Sequence, residues 1–172
     1  MWVFAYGSLM WNPGFDFIES SRARLFGYHR ALCIHSWVWR GTPDRPGLVL
    51  GLDHGGSCLG MAYRVAEEKA SDVVEYLRAR EQVTMVYQER WATIKLATGT
   101  DPRVPAIVYT VDRQHEQYAG RQPIGDLVDI AKSAHGRAGS TADYIISTAA
   151  HLEEMGAHDP QLSALAAILQ QD

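Results

Sequence analysis

The sequence predicts an α+β fold in one domain, and three observations lead to this prediction. The chain has 172 residues, which is the length of one ordinary domain. Short apolar segments bounded by glycine and proline, typical of strands, fill the front of the chain and enclose one amphipathic helical segment. From Pro123 onward the pattern is helical. Strands first, one helix inserted and helices last predict a single α+β domain over residues 1–172.

The individual elements are predicted from periodicity and turn residues. Apolar and β-branched segments bounded by turn residues predict six strands, and spacings of three and four residues predict four helices. The residues Asp53–Gly56 read as a hairpin turn between the third and fourth strands. The predicted strands are Trp2–Tyr6, Arg24–His35, Leu48–Leu52, Cys58–Val65, Val86–Leu96 and Val104–Val111. The predicted helices are 67–80, 123–135, 141–155 and 160–170.

The composition argues against several classes of partner. The formal net charge is −4 and no basic patch dominates, so we expect no nucleic-acid partner. No segment approaches the ~20 apolar residues of a membrane-spanning helix, and the first residues lack the basic segment of a signal peptide. Cys33 and Cys58 are too few for a disulfide framework and predict free thiols in a reducing cytoplasm. The spacings His-Glu-x-x-His and Cys-x-x-Cys are missing from the sequence, so we expect no metal site.

The helical segment 67–80 is followed by a carboxylate, Glu81, that falls on its apolar stripe. Its apolar residues recur with spacings of three and four, and at about 100° per residue Glu81 falls about 20° from Ala70 on this stripe. A carboxylate on a core-facing stripe must be paired, hydrogen-bonded or held at a raised pKa, and a raised pKa suits a general acid/base. The alternatives are that the helix frays after Arg80, or that Arg78 or Arg80 neutralises Glu81.

The segment Tyr6-Gly7-Ser8-Leu9-Met10 follows the first predicted strand. Glycine there permits close approach of the backbone to a ligand, and successive N–H groups in a turn bind anions such as a carboxylate. The segment matches neither phosphate-binding glycine pattern, so a nucleotide is not implied. A plain turn explains it equally well.

Two further motifs have simple interpretations. His54-Gly55-Gly56 is similar to the oxyanion loop of esterases, but the chain has no Gly-x-Ser-x-Gly elbow, which excludes a serine hydrolase of that class. Ser140-Thr141-Ala142-Asp143 is a capping-box pattern that predicts the start of the helix carrying Tyr144.

An ordered series of short motifs runs along the chain. Its members, in order, are Val3-Phe4-Ala5-Tyr6-Gly7-Ser8-Leu9, Gly27-Tyr28-His29-Arg30, Arg40-Gly41-Thr42-Pro43, Pro46-Gly47-Leu48-Val49-Leu50, Gly56-Ser57-Cys58-x-Gly60-x-Ala62-Tyr63-Arg64 and Tyr76-Leu77-x-x-Arg80-Glu81. The series continues through Tyr118-x-Gly120 and Asp143-Tyr144, so it covers nearly the whole chain. Together these motifs resemble the ChaC family of γ-glutamylcyclotransferases.

The resemblance implies a γ-glutamylcyclotransferase-like fold, a small mixed β-barrel or sheet with flanking helices. It implies a lyase that cleaves glutathione to 5-oxoproline and cysteinylglycine without metal or organic cofactor. Its substrate is a small molecule, and no obligate protein partner is evident. Two alternatives stay open: an enzyme for other γ-glutamyl peptides or amines, and a non-catalytic regulator connected with the family's link to cation transport.

The resemblance also implies the site residues. The family's catalytic glutamate corresponds to Glu81, the residue that the helical periodicity singles out. The family's substrate loop corresponds to Val3, Phe4, Ala5, Tyr6, Gly7, Ser8 and Leu9, and its further substrate-binding residues correspond to Arg40, Tyr87 and Tyr144.

The sequence departs from the family pattern at several positions. Ala5 stands where glycine is common, and Trp39 interrupts a segment of which only Arg40-Gly41 remain. Thr141 and Asp143 replace an asparagine and a glutamate. These departures concern chiefly the contacts to the cysteinylglycine half of the substrate.

Overall fold

Five strands form a closed barrel in the computed structural model, which describes residues 1–98, 100 and 102–171. The order around the barrel is β1-β3-β2-β4-β5. The barrel strands are β1 Trp2–Ala5, β2 Glu19–Ser36, β3 Gly47–Arg64, β4 Tyr87–Leu96 and β5 Arg103–Val111. The helices are α1 Ala70–Glu81, α2 Ile124–Ser133, α3 Thr141–Glu154 and α4 Pro160–Leu169, and the short strands β6 His135–Gly136 and β7 Gly139–Ser140 form a separate pair.

Strand β1 is part of the barrel wall and pairs with a neighbouring strand on each side. It runs antiparallel to β3, with Val3 opposite Tyr63, and parallel to β5, with Val3 opposite Ile107. Val3, Phe4 and Ala5 are all buried, as a strand covered on both faces requires. The first predicted strand is confirmed, and the mixture of parallel and antiparallel pairs confirms the predicted mixed barrel.

The predicted hairpin at Asp53–Gly56 is wrong. Strand β3 runs without interruption from Gly47 to Arg64. Gly55 and Gly56 instead adopt φ values of +102° and +69° within the strand. Glycine tolerates this left-handed conformation, so the strand continues through these residues.

The chain divides into two compact units. The first contains Met1–Ala31 and Gly51–Asp112, and the second contains Leu32–Leu50 and the chain from Arg113 onward. In the first unit, Val73 and Leu77 are the buried residues of α1, whereas Ala70 and Val74 are half-buried. The predicted stripe is therefore displaced toward Val73, but the helix is intact through Glu81.

Helices α2, α3 and α4 of the second unit pack against one another. Ser140 caps α3, because its side chain accepts a hydrogen bond from the Asp143 amide at 2.9 Å. This contact confirms the predicted capping pattern. Asp159 caps α4 in the same way through the Leu162 amide. Among the described residues, we find no helix with both the length and the apolar character needed to cross a membrane.

Candidate active site

The segment after β1 makes a short 3₁₀ turn over Ser8–Met10, held by side chains from three elements of the first unit. Arg30 of β2 is buried and donates from Nε to the Tyr6 carbonyl at 2.6 Å and from Nη2 to the Leu59 carbonyl at 2.7 Å. Tyr63 of β3 donates its hydroxyl to the Met10 carbonyl. The turn is thus fixed at its start and its end, and Ser8 between them is exposed.

The third support is Arg80 on α1. Its guanidinium donates from Nη2 to Ser8 Oγ at 3.1 Å and from Nη1 to the Asn12 carbonyl at 2.8 Å. The same Nη1 lies 2.9 Å from the Tyr76 hydroxyl. These contacts connect the end of α1 to the predicted substrate loop.

Glu81 is the last residue of α1, and its side chain is 17% exposed. Its Oε1 lies 3.3 Å from Arg80 Nε. Burial raises the pKa of the Glu81 carboxyl above its ordinary value, and the positive charge of Arg80 opposes this effect without overcoming it. A raised pKa is the direction that a general acid/base requires of a carboxyl group. The two alternatives from the sequence are therefore not met: α1 continues through Glu81, and the charge of Arg80 does not lower the pKa of its carboxyl below the ordinary value.

A second carboxylate, Glu89, lies on β4 opposite Tyr109 of β5. Arg78 donates to it from Nε and Nη2, both at 2.8 Å, and the Tyr109 hydroxyl donates at 3.0 Å. The hydrogen bonds from Arg78, more than any other cause, lower the pKa of the Glu89 carboxyl. Burial, followed by the charge of Glu89 and its hydrogen bond, raises the pKa of Tyr109, and the charge of Glu81 adds to this. The negative charges of both carboxylates therefore act on the Tyr109 hydroxyl.

The structure places the remaining predicted loop residues in different environments. Tyr6 and Leu9 are buried, Gly7 is half-buried, and Ser8 alone is exposed. The side chains of Val3, Phe4 and Ala5 are buried on β1.

Tyr87 lies at the start of β4, and its carbonyl accepts a hydrogen bond from Gln82 Nε2 at 3.3 Å. It is therefore joined to the residue that follows Glu81. Its side chain is half-buried.

The two remaining predicted residues, Arg40 and Tyr144, meet in the second unit. The Arg40 guanidinium lies over the Tyr144 ring, 5.1 Å from its centroid, and donates to the Ala138 carbonyl. The Tyr144 hydroxyl accepts from the Leu50 amide at 3.2 Å. Thr141, where the family pattern has asparagine, is buried and donates to the Arg40 carbonyl at 2.9 Å. The threonine thus supports the backbone of Arg40.

Sequence reasoning missed the supporting residues. Arg30 and Arg80 stand inside motifs of the family pattern, but nothing in their spacing indicates that one holds Tyr6 and the other holds Ser8. Arg80 enters the sequence argument only as a neutralising charge. The signal that was available for Arg30 is its position directly before the apolar segment 31–34 of the predicted strand, since an arginine buried there must find partners.

The described residues contain no group of three or more histidine, cysteine, aspartate or glutamate side chains arranged to hold a metal ion. Cys33 and Cys58 are buried and form no disulfide, as the sequence predicts.

With this geometry established, comparison with known proteins decides the family. The sequence pattern described as "ChaC-like protein" matches residues 1–172. The chain belongs to the ChaC-like family. Two relatives support this directly. A glutathione-specific γ-glutamylcyclotransferase of Escherichia coli strain K12 is 36% identical over 96% of this chain and 71% of its own length. Glutathione-specific γ-glutamylcyclotransferase 1 of Homo sapiens is 30% identical over 96% of this chain and 76% of its own length.

A solved structure confirms the fold of this ChaC-like chain. The crystal structure of a γ-glutamyl cyclotransferase specific to glutathione from yeast aligns with a TM-score of 0.85 and 22% sequence identity. The alignment covers 99% of this chain and 98% of the yeast chain. The predicted γ-glutamylcyclotransferase-like α+β fold and the predicted family are both confirmed.

Proposed function

We propose that this chain is a glutathione-specific γ-glutamylcyclotransferase that releases 5-oxoproline and cysteinylglycine. The full-length match to relatives bearing that name supports the activity. The single structural observation that carries the proposal is the largely buried carboxyl of Glu81 with its raised pKa, connected through Arg80 to Ser8 of the N-terminal turn.

The reaction is an internal aminolysis. The α-amine nitrogen of the γ-glutamyl group attacks its own γ-carbonyl carbon, so a carbon–nitrogen bond forms and closes a five-membered lactam. The bond from that carbon to the cysteine nitrogen breaks. Glu81 accepts the proton that the attacking nitrogen loses and delivers it to the departing cysteine nitrogen. The atoms balance with no further reactant, because nucleophile and leaving group belong to one molecule.

The protein's main task in this reaction is to hold the substrate in its cyclising conformation. Holding two reacting groups in position lowers the activation barrier, by roughly 7–11 kcal/mol in favourable cases. We assign the backbone of Val3–Leu9 to the substrate's carboxylate or to the developing oxyanion, since backbone N–H groups stabilise both. Arg40, Tyr87 and Tyr144 are assigned to further substrate contacts.

We also propose that the protein acts in the cytoplasm, because glutathione is abundant in reducing compartments and the two cysteines are free thiols.

The direct test is incubation of the purified chain with glutathione, followed by quantification of 5-oxoproline and cysteinylglycine. We expect the two products in equal amounts. Parallel reactions with γ-glutamyl-alanine, γ-glutamyl-ε-lysine and other γ-glutamyl amines test the specificity. Turnover of those compounds with none of glutathione would contradict the proposed substrate, and turnover of neither would contradict the proposed activity.

A further inference from the structure

Arg80 divides its guanidinium between two functional elements. One Nη atom reaches Ser8 Oγ at 3.1 Å, and the other reaches the Asn12 carbonyl at 2.8 Å and the Tyr76 hydroxyl at 2.9 Å. The remaining nitrogen, Nε, lies 3.3 Å from Glu81 Oε1. A planar guanidinium presents donors in several fixed directions, which one ammonium group cannot reproduce. Replacement by lysine would therefore keep the charge and lose the geometry.

The side chain is partly shielded from water, with 23% of its surface exposed. Contacts of a shielded guanidinium are stronger and better defined than those of a free surface arginine. Tyr76 also contributes to the rigidity, because its hydroxyl lies within reach of Arg80 Nη1 and occupies the space beside Gly14. The arrangement holds the guanidinium in one orientation.

Simple neutralisation does not account for this residue. An arginine that served only to hold Glu81 ionised would keep the pKa of its carboxyl low, whereas burial raises that pKa despite Arg80. The other groups that bear on Glu81 from packed strands are Tyr109 of β5 and, beyond it, Glu89 of β4 with its partner Arg78. Most donors of Arg80 point to the turn, so its effect on Glu81 is limited to the Nε contact.

We propose that Arg80 is a positioning residue that fixes the Ser8 turn and the Glu81 carboxylate relative to each other. This inference rests on the proposed function, because it assumes that the turn binds substrate and that Glu81 moves the proton. Arg80 itself is assigned no contact with the substrate. Since Arg30 and Tyr63 hold the turn independently, removal of Arg80 leaves a folded protein with a turn that is no longer aligned to Glu81.

The test compares Arg80→Lys and Arg80→Met with the wild type, and Arg64→Met is the matched control. Arg64 belongs to the same unit and pairs at 2.8 Å with Glu19, but both side chains are exposed. Thermal unfolding first establishes that each variant is folded at the assay temperature. We then measure kcat and KM for glutathione across pH, and follow the Glu81 carboxyl by ¹³C NMR titration.

We expect kcat to fall roughly 10- to 100-fold in Arg80→Lys, with KM changed only a few-fold, because misplacement of reacting groups by about 1 Å costs up to about 100-fold. In Arg80→Met the Glu81 titration and the acid limb of the activity move to higher pH, since the opposing positive charge is gone. In Arg80→Lys the Glu81 titration and the acid limb of the activity shift little, because the positive charge is kept. Arg64→Met behaves as the wild type.

A kcat for Arg80→Lys within twofold of the wild type would overturn the inference. So would a Glu81 titration that is identical in Arg80→Met and the wild type. If the wild type forms no 5-oxoproline, the proposed function fails instead, and the NMR titration still decides whether Arg80 acts on Glu81.

Discussion

Two arginine–glutamate pairs at the end of α1 have opposite electrostatic outcomes. The side chains of Glu81 and Glu89 are almost equally exposed, at 17% and 18%. The pKa of Glu81 is raised, whereas that of Glu89 is lowered. Burial raises the pKa of both carboxyl groups, and at Glu81 it is the dominant effect. At Glu89 the hydrogen bonds outweigh it, because Arg78 directs two donors at that carboxylate. Arg80 instead directs its two Nη atoms to the N-terminal turn and faces Glu81 with Nε alone.

This comparison shows that two carboxylates near one helix end differ in how firmly their ionised forms are held. A carboxylate that accepts several charge-assisted hydrogen bonds is held in its ionised form and cannot readily take up a proton. A carboxylate that is shielded but weakly paired remains able to exchange one. Arg78, with 57% of its side chain exposed, directs its donors at Glu89, whereas Arg80 donates to the N-terminal turn.

The largest expected contrast is in activity. Glu81→Gln removes the proton acceptor and keeps the side-chain shape, so we expect 5-oxoproline formation to fall about 10²–10⁴-fold. Glu89→Gln, the matched change on the neighbouring carboxylate, is expected to stay within a few-fold of the wild type. The measurement is kcat/KM for glutathione. Equal losses in the two variants would remove the distinction between them.

A third arginine extends the comparison into the second unit. Arg40→Met removes the cation that lies over Tyr144, and we expect kcat/KM for glutathione to fall about 10–100-fold, mainly through KM, as loss of a charged hydrogen bond predicts. Arg113→Met is the control, because Arg113 lies over the ring of Tyr118 at 6.0 Å in the same unit. A normal KM in Arg40→Met would remove Arg40 from the substrate site.

The two substitutions are expected to have opposite effects on stability at pH 7: Glu81→Gln stabilises the protein and Glu89→Gln destabilises it. Because the folded-state pKa of Glu81 is raised, its contribution to stability is largest at low pH and is lost as pH rises through that pKa. Glu81→Gln should therefore raise the free energy of unfolding at pH 7, by on the order of 1 kcal/mol.

The pKa of Glu89 is lowered, so its contribution is present above the unfolded-state pKa and is lost as pH falls through the folded-state value. Glu89→Gln should lower the unfolding midpoint at pH 7 and have little effect in acid. Urea unfolding of both variants at pH 7 and in acid checks the two signs. A Glu81→Gln variant less stable than the wild type at pH 7 would contradict the raised pKa.

The sequence was sufficient for the family, the α+β class and the position of Glu81. Helical periodicity identifies Glu81 because it depends only on spacing along one element. It could not identify Arg80 as the link to Ser8, because that contact joins residues 72 positions apart. The same limit applies to Arg30 and the Tyr6 carbonyl.

The error at Asp53–Gly56 has a different cause. Two adjacent glycines are typical of a turn, but here both adopt a left-handed conformation within one long strand. Local composition cannot distinguish such an irregularity in a strand from a turn that ends it. The role of Thr141 also could not be predicted from the sequence. It replaces an asparagine of the family pattern, and its hydroxyl donates a hydrogen bond to the Arg40 carbonyl.

The most direct test of the central claim is the pH dependence of 5-oxoproline formation from glutathione by the wild type. Activity should decline on the acid side with a bend above 4.5, the ordinary pKa of a glutamate carboxyl, because burial raises the pKa of Glu81. The substrate's α-amine titrates at about 8 or higher and gives a separate bend. The Glu89→Gln variant should keep the same acid bend. Activity that continues undiminished to pH 4.5 would contradict the assignment of Glu81 as the acid/base.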